Sequence, residues 1–175
     1  MSHSTLAVGQ VEITVLHDSE VALSFNSTFP DVPEEAWAPY VERYPDDYTT
    51  SATGDASLRV HFECYLVRSQ GRTLLVDTGL GDSNSNPNVV AQIGSGIDGV
   101  LLSELEKAGF KAADVDTVFL THLHPDHVGW NVTRPTADSA VEVAPTFPNA
   151  RYVAHEADWR AFDLSLIHIS EPTRP

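Results

Sequence analysis

Residues 121–131 read Thr121-His122-Leu123-His124-Pro125-Asp126-His127-Val128-Gly129-Trp130-Asn131. On extended backbone His122 and His124 are two apart, so both rings project from one side. Pro125 biases His124 away from helix and keeps that shared direction. Asp126 and His127 follow where the chain can turn into a helix, aiming a carboxylate and a third imidazole into the same space. Gly129 lets backbone pass close by. Four such donors suit a borderline cation such as Zn²⁺, with bonds of about 2.0–2.2 Å. They are too many for one catalytic ion that keeps an open position. They divide more naturally between two, His122 with His124 and Asp126 with His127.

Outward from this cluster the chain reads as alternating strands and helices. Asp116–Thr121 is apolar on both faces (Val118, Phe119, Leu120), a central strand covered by helices on at least one side. Upstream, Thr73–Asp77 ends abruptly in Asp77-Thr78-Gly79, and Ser69-Gln70-Gly71 turns it back on a strand with Val60, Phe62, Cys64 and Leu66 facing inward. Buried on that face, Cys64 is a small hydrophobe. Asp98 is expected to cap a helix bearing Leu101, Leu105 and Ala108 and closed by Gly109. Val11, Ile13 and Val15 alternate with Glu12, Thr14 and Leu16, a short strand with one buried face. Residues 18–57 show little strand character and form a lid or insertion-like segment. Within it Trp37, Tyr40, Val41 and Tyr44 make one helical stripe over Glu34–Tyr44, expected to pack on the core and to kink or break at Pro39. Residues 133–149 are a Pro-rich loop. Arg151–His155 is a further strand, and Glu156–Phe162 starts a helix.

The string at 122–127 resembles the His-x-His-x-Asp-His motif of the metallo-β-lactamase fold superfamily. The resemblance extends to Leu75-Val76-Asp77-Thr78-Gly79 and to Ala154-His155-Glu156-Ala157-Asp158-Trp159. It implies an α/β fold, an αββα sandwich with metals at the sheet edge. It implies His122 and His124 on metal 1 and Asp126 and His127 on metal 2, most simply two zinc ions, with iron or manganese as alternatives. Asp77 and Thr121 are expected beside the site, orienting ligands without binding metal. The superfamily completes its site with later histidines and a bridging aspartate. Past the cluster only His155 and His168 remain, neither in the Gly-His context of those ligands, and His155 reads as a strand-end residue. Residues 1–163 are therefore expected to form an incomplete domain, roughly the first half of the sandwich. Residues 164–175 resemble a translated sequencing adapter and are expected to be a non-native tail.

The resemblance implies hydrolysis for the complete parent. Two ions would lower the pKa of a shared water towards about 7, and the hydroxide would attack an ester, lactone or related small molecule. Asp126 would orient that nucleophile and accept its proton. The His127-Val128-Gly129-Trp130-Asn131 continuation looks closer to lactonase and esterase-like branches than to antibiotic-hydrolysing ones. Two other readings compete: a di-iron or sulfur-oxidising oxidoreductase on the same ligands, and a catalytically inert fragment with weak metal binding and an uncovered apolar sheet face.

Composition narrows the partners. The 175 residues carry 10 Lys and Arg against 25 Asp and Glu, a net charge of −15 that repels phosphate backbones and anionic membranes. A small-molecule substrate remains. No apolar run approaches the roughly 18 residues that span a bilayer, and no secretory signal is visible, so a cytoplasmic protein is expected. One cysteine excludes an intrachain disulfide. The oligomeric state cannot be read from these residues.

Overall fold

The structure, a computed structural model, describes residues 3–50, 56–83, 98–133 and 143–162. The tail at 164–175, His168 included, lies outside them. The strands are β1 (Thr5–Val8), β2 (Val11–Ser24), β3 (Tyr48–Thr50), β4 (Ala56–Ser69), β5 (Arg72–Val76), β6 (Thr117–Phe119), β7 (Val132–Thr133), β8 (Ala144–Pro145) and β9 (Arg151–Val153). One mixed seven-stranded sheet runs in the order β1-β2-β4-β5-β6-β9, with β3 paired to β4, and β7 and β8 form a separate small ladder. The long β2 and β4 pair antiparallel from Glu12↔Arg68 to Ser24↔Ser57, with one shift of register between His17 and Ser19. That shift leaves Asp18 as an extra residue in a β-bulge.

Gln70 and Gly71, both with positive φ (50° and 73°), make the tight turn that joins β4 to β5. From β5 onward the sheet changes character. β5, β6 and β9 are mutually parallel, so all three deliver their C-terminal ends to one rim. The segments after them carry Asp77, the 121–131 cluster and His155.

Among the described residues the core lies on one face of the sheet. Leu16, Cys64, Leu66, Leu75 and Val118 point there, under Leu101 and Leu105 of helix Leu101–Lys107 and beside Trp130 and Phe147, all buried. The opposite face carries Val11, Ile13, Val15, Val67, Leu74, Val76 and Val153, none of them fully buried. On that face Tyr65 and Phe119 are each 42% exposed, and Leu6 and Val8 of β1 are 60% and 57% exposed. A sheet with one face under helices and the other bare among the described residues matches one α and one β layer of the expected sandwich.

Several expectations change. The buried phase of β2 is Thr14 and Leu16 rather than Val11, Ile13 and Val15. The covered phase is the more polar of the two, because Asp18 at its end is held inside by donors from other segments. Residues 18–24 continue β2 instead of leaving the sheet. The stripe at 34–44 is a 3₁₀ turn, Glu34–Trp37, followed by helix Ala38–Arg43 with Pro39 in its first turn, where the missing N–H is harmless. Trp37 stacks on Phe25 at 4.4 Å between ring centres, whereas Tyr40 and Tyr44 are exposed, so the stripe does not pack on the core as a unit. Asp98 does not cap helix Leu101–Lys107. It accepts from the Ser83 N–H at 3.0 Å, while the Leu101 N–H at the helix start is taken by Asp18 at 3.1 Å. Gly109 (φ 90°) does close that helix.

Candidate metal centre

The site begins where β5 stops. The Asp77 N–H still bonds to the Phe119 carbonyl across the parallel pair (2.9 Å), but its φ of +60° throws the chain out of the strand. That left-handed conformation is uncommon for a residue with a side chain, and strain of this kind collects at functional sites. Its carboxylate, largely buried, turns back over the end of β6. There it accepts from the Thr121 N–H (2.7 Å), the Thr121 hydroxyl (2.8 Å) and His127 Nδ1 (2.8 Å).

These bonds fix the protons on the rings. Because Nδ1 of His127 faces a carboxylate, it carries the hydrogen, and Nε2 keeps a lone pair. The Thr121 hydroxyl has given its hydrogen to Asp77, so it accepts from Nδ1–H of His122 at 3.1 Å, which frees Nε2 of His122 likewise. The lone pair on Nε2 of His127 then stands 3.2 Å from Oδ2 of Asp126. Two lone-pair atoms that close require positive charge on or between them, either a proton or a metal cation.

Pro125 sets the rest of the geometry. His124 is extended (φ −69°, ψ 153°) and Pro125 opens the short helix Pro125–Val128, as its place in the sequence predicts. The rings of His122 and His127 lie 3.8 Å apart between centres, with His124 edge-on to His122 at 4.8 Å. His124 also meets the ring of Phe162 at 5.8 Å, so the helix over 156–162 flanks the cluster. The structure thus brings the rings of His122, His124 and His127 beside one another, with Asp126 against His127.

The helix is stitched to the segment after β5. The Thr78 N–H bonds to the His127 carbonyl (2.9 Å), Gly129 N–H to Gly79 carbonyl (2.8 Å) and Trp130 N–H to Thr78 carbonyl (3.0 Å). The Thr78 hydroxyl, fully buried, donates to Oδ1 of Asn131 at 3.0 Å. A Cβ on Gly129 would fall 2.0 Å from the Leu80 carbonyl carbon, so backbone lies on backbone here. Thr78, Asn131 and Asp18 belong to this scaffold and were not anticipated from sequence. His155 is exposed and lies two residues beyond β9; its Nδ1 accepts the Ala157 N–H at 3.1 Å, so it caps the helix over 156–162 rather than ending the strand.

A borderline cation fits the chemistry of this donor set, with imidazole Nε2 atoms freed by fixed tautomers and a carboxylate alongside. The donors meet in pairs, and among the described residues no three His, Cys, Asp or Glu side chains converge as a ready ligand group. Cys64 is no candidate ligand, because burial pushes its thiol well above the usual range.

Comparison with known proteins bears on the fold. The profile of the metallo-β-lactamase superfamily matches residues 63–145, which include Asp77 and the whole cluster. No curated protein is significantly similar in sequence. A probable metal-dependent hydrolase from Staphylococcus aureus superimposes with a TM-score of 0.70 at 18% identity, over 94% of this chain and 54% of that one. A hydrolase of the β-lactamase superfamily, AbOPH, gives 0.67 at 26% identity over 90% and 46%. AidC, a dizinc quorum-quenching lactonase solved with a product, gives 0.66 at 23% identity over 90% and 46%. The chain thus spans about half the length of the solved structures it matches. Its fold is that of the metallo-β-lactamase superfamily.

Proposed function

We propose that this chain forms the metal-binding half of a dinuclear metallo-hydrolase that opens a lactone, ester or related small molecule. The observation that carries the reading is the pair of facing lone pairs, Nε2 of His127 and Oδ2 of Asp126, 3.2 Å apart with Nδ1 already committed to Asp77. That arrangement calls for positive charge, which a cation would supply. His122 and His124 would hold one ion, Asp126 and His127 the other, with zinc the expected metal. The ions would supply Lewis acidity, polarising the substrate oxygen and acidifying water. The protein's own part is positional. Asp77 keeps the hydrogen of His127 on Nδ1, Thr121 does the same for His122, and the Asp126 carboxylate orients the attacking water and takes its proton.

The hydrolytic reading draws on the hydrolase neighbour at 26% identity, and the substrate class on the residues that follow His127. A charge of −15 disfavours nucleic-acid substrates. The activity is proposed for a protein of the matched structures' length, while the donors can be tested on this chain. Equilibrium dialysis against zinc should show binding that weakens at least about tenfold in His122→Ala and in His127→Ala. Equal zinc uptake by the chain and both variants would overturn the metal centre. Bound iron in place of zinc after expression in unsupplemented medium would overturn the assignment of the metal.

A further inference from the structure

Asp18 is fully buried at the bulge of β2, on the helix-covered face and away from the cluster's rings. Its carboxylate gathers donors from three separate segments. Oδ2 accepts the Leu80 N–H at 2.7 Å, and Oδ1 accepts the Leu101 N–H at 3.1 Å and the Trp130 indole N–H at 2.8 Å. The Gly81 N–H and the Ser19 hydroxyl add to these, and the Asp18 carbonyl takes the Val100 N–H at 2.8 Å. Two glycines make room for it. A Cβ on Gly79 (φ +62°) or on Gly99 would come within 2.4 Å of its carboxylate.

These partners are the underside of the candidate metal centre. Leu80 and Gly81 are the backbone on which Gly129 rests, and Trp130 follows directly after Gly129. Gly79 and Thr78, one and two residues before Leu80, hold the carbonyl and amide groups of the helix that carries Asp126 and His127. Asp77, at the head of the same segment, fixes the His127 ring. A buried carboxylate surrounded only by donors serves all of them in its ionised form. Burial pushes its pKa up from the ordinary carboxylate value, and the Trp130, Leu80, Leu101 and Gly81 donors oppose that rise.

We infer that Asp18 is the positioning residue for the Asp126–His127 half of the site, setting that pair against His122 and His124 by clamping the 79–81 segment and Trp130 together. The inference rests on the metal-centre reading above for its consequence, but its geometry can be tested without metal. Asp18→Asn keeps the size and turns one oxygen into an NH₂ that faces N–H donors, so either Leu80 or the Leu101–Trp130 pair must withdraw.

The test is long-range ¹H–¹⁵N spectroscopy of the histidine rings in metal-free protein, followed by zinc titration of the same samples. In the parent chain His127 should show its hydrogen on Nδ1. In Asp18→Asn that signature should give way to a mixture of tautomers, and the second equivalent of zinc should bind at least tenfold more weakly while the first changes less than threefold. Asp116→Asn is the control. It removes a carboxylate that holds the Thr73 N–H at 2.8 Å, far from the cluster, and should lower stability without moving His127. A folded Asp18→Asn with the parent's His127 spectrum overturns the inference, as does a control that shifts His127 equally. If Asp18→Asn does not fold, Trp130→Phe decides, because it removes a single donor; an unmoved His127 spectrum there also overturns it. A parent chain that binds no zinc defeats the metal reading alone, since the tautomer still reports on Asp18.

Discussion

At the scale of single residues, the centre depends on where two hydrogens sit. Asp77 is held in a left-handed conformation and satisfied by three donors, so replacing it by Asn tests the arrangement with little change of shape. An amide can still accept from Thr121, but it presents NH₂ to Nδ1 of His127. The ring then moves its hydrogen to Nε2 and loses the lone pair aimed at the cation. Asp77→Asn is expected to fold and to weaken zinc binding by about ten- to a hundredfold, read by dialysis; unchanged affinity would show that the tautomer does not matter. The cluster was legible in sequence because its members lie within six residues and Pro125 dictates their directions. Asp18 was not, because its partners stand 62, 83 and 112 residues further on. Its only local trace is that it follows Thr14 and Leu16 in the inward phase of β2.

At the scale of elements, helix Pro125–Val128 has no length with which to stabilise itself. One turn of helix is marginal alone, so its place depends on the bonds from Thr78, Gly79 and Gly129 and on the direct backbone contact at Leu80. Gly129→Ala should therefore lift the turn from the 79–81 segment, since neither contacting atom is a side chain that can swing aside. A loss of about 1–3 kcal/mol is expected, measured by urea denaturation together with weaker zinc binding. A variant as stable as the parent would mean that the contact is looser than the structure describes. Element types were readable from periodicity, with β4, β5, β6 and the helix ending at Gly109 close to expectation. Two failures share a cause: Asp98 and the 34–44 stripe were judged by local pattern, while tertiary partners decided. Leu101 already had Asp18 as acceptor, and only Trp37 of the stripe found a partner ring in Phe25.

At the scale of the whole molecule, the open sheet face sets the behaviour in solution. Tyr65, Phe119, Leu6 and Val8 are exposed on the same face of the sheet, and exposed apolar surface of this kind favours association. A net charge of −15 opposes it, through a repulsion that salt screens beyond about 8 Å at physiological ionic strength. Self-association of the 175-residue chain should therefore grow as salt rises from about 50 to 500 mM, seen by sedimentation velocity, and should fall in Tyr65→Lys/Phe119→Lys. A monomer at every salt concentration would refute the picture. Which face of the sheet would be bare was not legible in sequence, because the covered phase of β2, Thr14, Leu16 and Asp18, is the more polar of the two.

The parallel run β5-β6-β9 has one further consequence. All three strands hand their chain to the same rim, and everything that anchors them lies on the helix-covered side of the sheet. Beyond the residues that are themselves buried or bonded there, Thr78, Leu80 and Trp130 among them, segments leaving that rim can lengthen, shorten or change composition while the interior stays packed. New selectivity can thus be grafted there, by evolution or by a protein engineer, onto a scaffold that stays as it is.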